Sequence, residues 1–437
     1  MNKIRLRKSL KEWEQAYMQN NYLHGSLLVS YKGEILLNNG YGFASWEHGI
    51  QNTSETKFRI GSITKSFTAL AVFQLHEQKM LNIHNTINEY LPEFPKGEQI
   101  TVYQCLTHTA GITNFTNFPD FWSTTMRLPS SLEDIINSFK NEPLEFEPGK
   151  QFDYSNSGYI LLTAIIERVS GMKYDEYLKE HIFLPLGMND TGCDNGKDII
   201  TKLASGYSYN GKPVHAPYAD LSFPLGAYGL YSTTGDLLIW DSAIRSFKLI
   251  SEESTQIMLK ANQDYYACGW YVNPVLEREC YHHFGDISGY VNEMLCFKEE
   301  LTIIFLCNMN VVPVKKLTRD IAKIFFEQPI ELPLFLNQMN IYNMDFLCGE
   351  YQSENGQLFL CITEENGYFL SVPKDYGVLY KFGLIPISQE KNKLVFKTTM
   401  IDESLVLDYS SKDVLSLSYT DYNGKRTILF KIVQDMM

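Results

Sequence analysis

The sequence predicts a mixed α and β unit followed by a small all-β domain. Helical periods alternate with long loops over residues 60–330, and apolar runs typical of strands lie near both ends of the first unit. After residue 345 the helical period disappears, and short alternating runs lie between turn signals. A chain of 437 residues is long enough for two or three domains with a large core. We therefore predict domains at 1–330 and 346–437, joined by a linker at 331–345.

The start of the first unit predicts a helix and then a strand pair. Four apolar residues at helical spacing form one face of the N-terminal helix: Leu6, Leu10, Trp13 and Tyr17. Residues 26–30 and 35–37 are predicted strands on either side of a turn at 31–34. We expect the second strand to end before Asn39-Gly40.

The centre of the first unit predicts a helix that is buried inside the domain. Residues 63–75 are apolar on nearly every side, which is typical of a helix surrounded by protein. Further helices are predicted at 155–169 and 234–244, and a strand pair at 294–297 and 301–307. We expect the early and late strands to pair around the buried helix, giving one lobe built on a sheet and one mainly helical.

The C-terminal region predicts a small β-sandwich or barrel. Its short alternating runs are separated by four turn signals, which are Asn355-Gly356, Asn366-Gly367, Lys374-Asp375 and Asn423-Gly424. Asn-Gly pairs between strands are typical of tight hairpins. No internal repeat and no low-complexity tract interrupts this pattern.

Charge and hydropathy limit the possible partners. The net charge of −13 disfavours nucleic acid or an anionic membrane surface as the main partner and favours neutral or amine-bearing small substrates. No apolar run approaches the ~20 residues that cross a bilayer. The basic start of the chain is not followed by an apolar stretch, so the chain as given reads as cytoplasmic unless an export signal has been removed. The oligomeric state stays open.

Cysteine and histidine spacing does not predict a metal site. The eight cysteines are scattered without a C-x-x-C pair, and several lie in apolar runs, so we expect buried free thiols. The nine histidines form no ligand spacing.

A Ser-x-x-Lys spacing brings an amine within reach of a hydroxyl on the first turns of a helix, where the amine can take the hydroxyl proton. The spacing occurs five times, starting at Ser54, Ser62, Ser170, Ser371 and Ser388. Ser62 differs because Gly61 precedes it and because it begins the buried helix, whose N-terminus favours a developing negative charge. The alternative is that Ser62 only caps this helix and that Lys65 reaches solvent.

A second candidate is Tyr154-Ser155-Asn156, at the start of another predicted helix. A phenol beside a lysine ammonium can act as a general base, and the Asn156 amide can donate to a substrate carbonyl. The alternative is that Tyr154 is a core aromatic residue and that Ser155 or Asn156 is a helix cap.

A third candidate is the His-His-Phe-Gly-Asp segment at 282–286, which precedes the late strand pair. Gly285 would let the backbone approach a ligand closely, and a neighbouring N–H could complete an oxyanion hole. The alternative is a turn with two partly exposed histidines.

Taken together, these segments resemble the motifs of the serine β-lactamase-like family. The matching motifs are Ser62-Ile63-Thr64-Lys65, Tyr154-Ser155-Asn156 and His283-Phe284-Gly285. Five further segments also resemble sequences of this family, at 58–62, 106–112, 147–150, 185–188 and 229–232. The family includes class C β-lactamases, D-alanyl-D-alanine carboxypeptidases, D-aminopeptidases and related esterases. The likeness covers about residues 20–325.

The resemblance implies an α/β (α+β) two-lobed β-lactamase/DD-peptidase-like fold, with an antiparallel sheet and a helical lobe. It also implies a serine hydrolase that acts on an amide, ester or lactam bond of a small molecule or peptide, without a cofactor. Ser62 would be the nucleophile, Lys65 and Tyr154 would exchange its proton, and Tyr154 would activate the water that releases the acyl group. The C-terminal region is similar to the lipocalin-like domains of some members.

The resemblance further implies a substrate-binding set. Asn156, His283 and Gly285 would contact the substrate, and the N–H groups of Ser62 and Asp286 would bind the oxyanion. Many penicillin-recognising relatives have a lysine where this chain has His283, and histidine is only partly charged near neutral pH, so we expect inefficient β-lactam hydrolysis. The Asp286 side chain would favour a substrate amine if it faces the cleft, and an outward-pointing turn residue explains it equally well. The alternative function is a non-catalytic penicillin-binding sensor or interaction module that keeps the cleft.

Overall fold

The chain is described by a computed structural model over residues 3–341, 344–374, 378–410 and 413–432. It forms two compact units, and each is described separately below. One unit comprises residues 25–206 and 216–308, and the other comprises residues 1–24, 207–215 and 309–437. The domain boundaries at 330 and 346 stay a proposal.

The helices and strands of the described residues are numbered in chain order. The helices are α1 Lys3–Met18, α2 Thr64–Glu77, α3 Val102–Leu106, α4 Leu132–Phe139, α5 Asn156–Ser170, α6 Tyr174–Leu178, α7 Leu184–Leu186, α8 Leu225–Tyr228, α9 Thr234–Arg245, α10 Glu252–Met258 and α11 Val314–Phe325. The strands are β1 Gly25–Tyr31, β2 Glu34–Tyr41, β3 Phe43–Ser45, β4 Ile50–Gln51, β5 Phe58–Arg59, β6 Gly192–Cys193, β7 Tyr207–Tyr209, β8 Pro213–His215, β9 Leu230–Ser232, β10 Tyr271–Val272, β11 Cys280–Ile287, β12 Tyr290–Phe297, β13 Leu301–Cys307, β14 Gly349–Ser353, β15 Phe359–Glu364, β16 Tyr368–Pro373, β17 Leu379–Glu390, β18 Lys393–Thr398, β19 Ser404–Ser410, β20 Asp413–Thr420 and β21 Arg426–Lys431.

An antiparallel six-stranded sheet organises the unit of residues 25–206 and 216–308. Its strand order is β10-β11-β12-β13-β1-β2, and β1 pairs with β13 from Ser26 opposite Leu306 to Tyr31 opposite Leu301. The predicted pairing of early and late strands is therefore confirmed. Every residue of β12 and β13 is buried, and burial of both faces explains why residues 294–297 and 303–307 are continuous apolar runs.

Helix α2 is the buried helix that the sequence predicts. All residues from Thr64 to Leu75 are buried, and the Phe67 ring stacks on the Trp240 ring of α9 with the centroids 4.0 Å apart. The predicted helices at 155–169 and 234–244 are confirmed as α5 and α9. A helix that is apolar on all sides is stable here because neighbouring helices and the sheet surround it.

Two predicted strand boundaries are wrong. Strand β2 continues through Asn39 and Gly40 to Tyr41, because Asn39 pairs with Leu27 of β1 and Gly40 with Ser26. Strand β12 begins at Tyr290 and not at residue 294, because its first residues pair with β11. In both cases pairing with a neighbouring strand extends an element beyond its local sequence signal.

The other unit contains α1, α11 and a closed antiparallel barrel. The four apolar residues predicted to form one face of α1 are all buried, and the Tyr17 hydroxyl donates to Asp320 Oδ2 of α11 at 3.1 Å. The barrel runs in chain order from β14 to β21 and closes by pairing β14 with β21. This closure selects the barrel over the sandwich and is the up-and-down arrangement of lipocalins.

Three of the four turns predicted in the C-terminal region can be compared with the structure. Asn355-Gly356, Asn366-Gly367 and Asn423-Gly424 each lie between consecutive barrel strands, as predicted. The fourth signal includes Asp375, which lies outside the described residues. All eight cysteines are free, and five of them are buried. None of the helices within the described ranges is long and apolar enough to cross a membrane.

Candidate active site

Ser62 lies in a 3₁₀ turn, Gly61–Ile63, immediately before α2. Its Oγ is 3.0 Å from Lys65 Nζ, and the Lys65 side chain is 0% exposed. The cap residues of the turn and of α2 are Ile60 and Ile63. The alternative interpretation, a capping serine with a solvent-exposed lysine, is therefore wrong on both points.

Lys65 Nζ lies among three oxygen atoms. Besides Ser62 Oγ, it contacts Asn156 Oδ1 and the Ala227 carbonyl oxygen, each at 2.8 Å. An amide or backbone carbonyl oxygen only accepts hydrogen bonds, so a neutral amine directs its two hydrogens at these two atoms and its lone pair at the serine hydroxyl. Burial lowers the pKa of Lys65 well below its ordinary value, which favours this neutral amine.

The partners of Lys65 do not oppose that shift. In the parts of the chain that the structure describes, no carboxylate lies within ion-pair distance of Nζ. An opposite charge nearby would favour the ammonium form. The lysine is therefore suited to receive the serine proton, which is the activation that a serine nucleophile needs.

Tyr154 precedes α5 and is half-buried. Lys65 Nζ lies 4.7 Å from the centroid of its ring. The ring of His108 also packs against the ring of Tyr154, and the two ring centroids are 4.2 Å apart. The structure thus brings the tyrosine, the lysine and the serine of the three-part prediction together.

Asn156 is the first residue of α5, and its half-buried side chain is held by hydrogen bonds. Its Oδ1 accepts from Lys65 Nζ, and its Nδ2 donates to Thr116 Oγ1 at 3.2 Å. Its backbone N–H donates to Asn114 Oδ1 at 3.1 Å. The amide is therefore a partner of the lysine in this structure, and its contact with a substrate stays a prediction.

His283 lies on β11 and not in a turn, and it is only 2% exposed. Its Nδ1 donates to the Phe284 carbonyl oxygen at 2.6 Å, because a carbonyl only accepts. Its Nε2 lies 3.1 Å from the Tyr266 hydroxyl oxygen. The alternative of partly exposed turn histidines is wrong for His283, and a histidine ring, unlike a lysine side chain, carries no fixed positive charge.

Gly285 and Gly61 allow β11 to lie directly against the turn that carries the serine. A Cβ atom on Gly285 would be 1.9 Å from the Ile60 carbonyl oxygen and 3.3 Å from Ser62 N. A Cβ atom on Gly61, whose φ is +56°, would be 2.5 Å from Asp286 N. Only glycine permits this approach, which brings the backbone around Asp286 against the turn that carries Ser62.

Several residues of the site were not assigned a role from the sequence. The set consists of His108, Asn114, Thr116, Ala227, Tyr266 and Asn292. Asn292 is fully buried, and its Nδ2 donates to the Arg59 carbonyl oxygen at 2.9 Å, which ties β12 to the strand before the serine turn. His108 lies in the segment 106–112 that resembles the family, but its contact with Tyr154 has no signal in the sequence.

Comparison with known proteins identifies the relatives of this chain. The Beta-lactamase family model matches residues 10–324. The putative penicillin-binding protein PbpX of Bacillus subtilis (strain 168) is 33% identical over 281 residues, which are 63% of this chain and 67% of that protein. The teichoic acid D-alanine hydrolase of Staphylococcus aureus (strain MRSA252) is 28% identical over 317 residues, which are 70% of this chain and 76% of that protein.

A solved structure extends the likeness beyond the matched region. The octameric penicillin-binding protein homologue from Pyrococcus abyssi has a TM-score of 0.66 and 23% identity, covering 98% of this chain and 100% of that one. Identity at this level shows the fold alone, and it confirms the predicted β-lactamase-like fold class. Since the family model matches well over half of the sequence, the chain belongs to the Beta-lactamase family.

Proposed function

We propose that this chain is a serine hydrolase that cleaves an ester or amide bond of a D-amino acid, above all D-alanine, through an acyl-enzyme on Ser62. The observation that carries the proposal is the set of three oxygen contacts around Lys65 Nζ. A buried amine with two uncharged acceptors and a serine hydroxyl is a base for that hydroxyl.

The acylation step follows from this arrangement. Ser62 Oγ attacks the substrate carbonyl carbon while its proton passes to Lys65 Nζ. Negative charge then develops on the carbonyl oxygen, where the N–H groups of Ser62 and Asp286 would stabilise it. Tyr154 delivers a proton to the leaving oxygen or nitrogen as the bond to the carbonyl carbon breaks, so that a neutral alcohol or amine departs.

Deacylation repeats the same chemistry with water. Tyr154 takes a proton from the water, whose oxygen attacks the acyl carbon. The ester bond to Ser62 Oγ then breaks, and the serine regains its proton from Lys65. The product is a free carboxylic acid, and the site returns to its starting protonation state.

The surroundings of His283 favour substrates that have no carboxylate next to this residue. The ring is buried, and both of its nitrogens have protein partners. Where a lysine would supply a fixed cation for a β-lactam carboxylate, this chain has a histidine, which carries no fixed positive charge. The net charge of −13 adds a general attraction for an amine-bearing substrate such as a D-alanyl ester. The 28% identity to a protein named as a teichoic acid D-alanine hydrolase supports the same class.

The test combines product release with covalent labelling. We expect the protein to release D-alanine from D-alanine p-nitrophenyl ester, and a fluorophosphonate to add to Ser62 with the expected mass. The S62A variant should lose at least about 10³-fold of the hydrolysis and all of the labelling. The matched control is S54A, which removes the serine of a Ser-x-x-Lys spacing outside the site and should leave both readouts unchanged.

The outcomes separate this proposal from the sensor alternative. An S62A variant that hydrolyses at the unmodified rate would contradict a Ser62 nucleophile. A stable penicillin adduct on Ser62, with no hydrolysis of any D-alanyl ester or amide, would favour a non-catalytic penicillin-binding sensor. Comparable loss of activity in S54A would show that the assay reports folding and not the nucleophile.

A further inference from the structure

We propose that His108 is a positioning residue that fixes the orientation of Tyr154 from the protein side of the site. This inference rests on the proposed function, because Tyr154 is the group assigned to carry the leaving-group proton. No motif of the sequence assigns His108 this task. The contacts of His108 with the two residues that flank Tyr154 carry the inference.

His108 binds the backbone on both sides of Tyr154. The Asp153 N–H donates to the His108 carbonyl oxygen at 3.0 Å. The Ser155 N–H donates to His108 Nδ1 at 3.1 Å. A single residue therefore accepts a hydrogen bond from the residue before the tyrosine and from the residue after it, which restricts rotation of the tyrosine backbone.

The His108 ring also packs against the Tyr154 ring. Their centroids are 4.2 Å apart and their planes are inclined by 38°. The rings of Tyr159 and Tyr266 lie against the same imidazole, at centroid distances of 5.1 and 4.5 Å. Since His108 is 2% exposed, it supports the tyrosine from behind and is not part of the open cleft.

The backbone of His108 has an uncommon conformation that this arrangement requires. Its φ is +55°, a left-handed value that few residues other than glycine adopt, with Asn, Asp and His among the more tolerant. Strained backbone of this kind persists only where surrounding contacts impose it, and it is found disproportionately at functional sites. Here the conformation lets the carbonyl oxygen and the ring of one residue reach both neighbours of Tyr154.

The protonation state of His108 is consistent with its role as an acceptor. Burial lowers its pKa well below the ordinary value. The neutral ring accepts at Nδ1 and carries its hydrogen on Nε2, which has no hydrogen-bond partner among the described residues. Such an unpaired buried donor is uncommon in proteins and weighs against a role for His108 in stability alone.

Two amide variants test the inference without changing the polarity of the position. In H108N the side-chain oxygen replaces Nδ1 as an acceptor, and asparagine tolerates a positive φ. In H108Q the oxygen lies one carbon further out and cannot take the Nδ1 position. The matched control is H181Q, because the His181 ring also packs against a tyrosine, Tyr177, at a centroid distance of 4.4 Å, in the turn Lys179–Phe183.

Two substrates with the same acyl group report on Tyr154 specifically. The leaving group of D-alanine p-nitroanilide needs a proton, whereas the p-nitrophenolate of the matching ester leaves without one. We measure kcat/KM for both, divided by the concentration of sites that a fluorophosphonate labels. Normalisation removes any loss of folded protein, so a purely structural role would leave the per-site values and their ratio unchanged.

We expect H108Q to lower the per-site kcat/KM for the anilide by about 10- to 100-fold and that for the ester by less than about 5-fold, because small displacements of a proton carrier have large effects. H108N should recover most of the anilide activity, and H181Q should match the unmodified protein. Equal losses on both substrates, unchanged per-site values in H108Q, or H108N no better than H108Q would each overturn the role of His108. Unmodified protein that neither labels nor hydrolyses would instead overturn the proposed function.

Discussion

Two Ser-x-x-Lys spacings lie in different units of the molecule, and their lysines, Lys65 and Lys374, have different electrostatic surroundings. Lys65 in α2 is fully buried, and its amine contacts a hydroxyl, an amide oxygen and a backbone carbonyl. Lys374 follows β16, its side chain is 14% exposed, and its amine forms an ion pair with Glu403, whose side chain is fully buried. The spacing of the motif is identical in the two places.

The difference teaches that the partner of the lysine decides its chemistry, and that the spacing does not. A carboxylate beside a lysine favours the charged ammonium form, whereas burial among uncharged acceptors favours the neutral amine. Two further lysines of this spacing also have acidic partners, Lys57 with Asp190 at 3.0 Å and Lys173 with Glu167 at 3.1 Å. Among these four lysines, only Lys65 is in surroundings that suit a general base.

The largest expected effect is on acylation. K65M should lower the rate of Ser62 acylation by about 10³- to 10⁴-fold, because the serine loses its base. The matched variant K374M should leave the rate per labelled site unchanged. Stopped-flow release of p-nitrophenolate measures both rates. A comparable loss in K374M would remove the distinction between the two lysines.

The second effect is on stability. K374M should destabilise the barrel by about 3 kcal/mol, because it leaves the Glu403 carboxylate buried without its counter-charge. Hydrogen exchange followed by mass spectrometry on peptides of β16 to β20 measures this change. Replacing both residues, as in K374M with E403L, should recover most of the loss. A K374M barrel that exchanges at the unmodified rate would mean that the ion pair contributes nothing.

The third effect is on the pH dependence of activity, when Lys65 is given a carboxylate partner like the one that Lys374 has. N156D places a carboxylate beside Lys65 Nζ, which raises the pKa of the lysine and favours its charged form. In the unmodified protein, kcat/KM rises with pH as Lys65 loses its proton, and this limb lies below the ordinary pKa of lysine. In N156D the limb should move to higher pH by about one unit, so that kcat/KM at a given pH on this limb is about ten-fold lower.

The control for this shift is N137D, which adds the same charge at an exposed position of α4. It should leave the pH profile unchanged within error. An N156D profile that keeps the position of its acid limb would contradict Lys65 as the group that titrates in acylation.

The smallest effect is expected at the surface. Lys173 is 72% exposed and Glu167 is 21% exposed, so solvent screens their interaction and K173M should change the free energy of unfolding by less than about 0.5 kcal/mol. Urea denaturation measures this change, and hydrolysis of the D-alanyl ester should be unaffected. A loss of more than about 1 kcal/mol would contradict this expectation, because it would show that the exposed ion pair contributes substantially to stability.

Much of the fold was predictable because its signals are local. The continuous apolar character of α2 and the Asn-Gly turns of the barrel depend on neighbouring residues in the sequence. The strand ends at Tyr41 and Tyr290 were missed because pairing with another strand sets them.

The site was predictable only in part, for the same reason. The motifs bring Ser62 and Lys65 to one helical turn, but the Ala227 carbonyl that accepts from the lysine is a backbone atom with no residue-type signal. The burial of His283 depends on Tyr266, whose hydroxyl bonds its ring. The contacts of His108 join segments 45 or more positions apart in the chain, and residue spacing does not report them.

The contact between Gly61 and the backbone of Asp286 has an evolutionary consequence. Where two chain segments touch through backbone atoms alone, no side chain is present whose replacement could adjust the spacing gradually. Any residue larger than glycine at position 61 or 285 forces the segments apart in one step, so these two positions act as a bottleneck for mutation. Changes of substrate preference must therefore arise at other positions of the site, and the part of the site that would hold the oxyanion can be inherited without alteration.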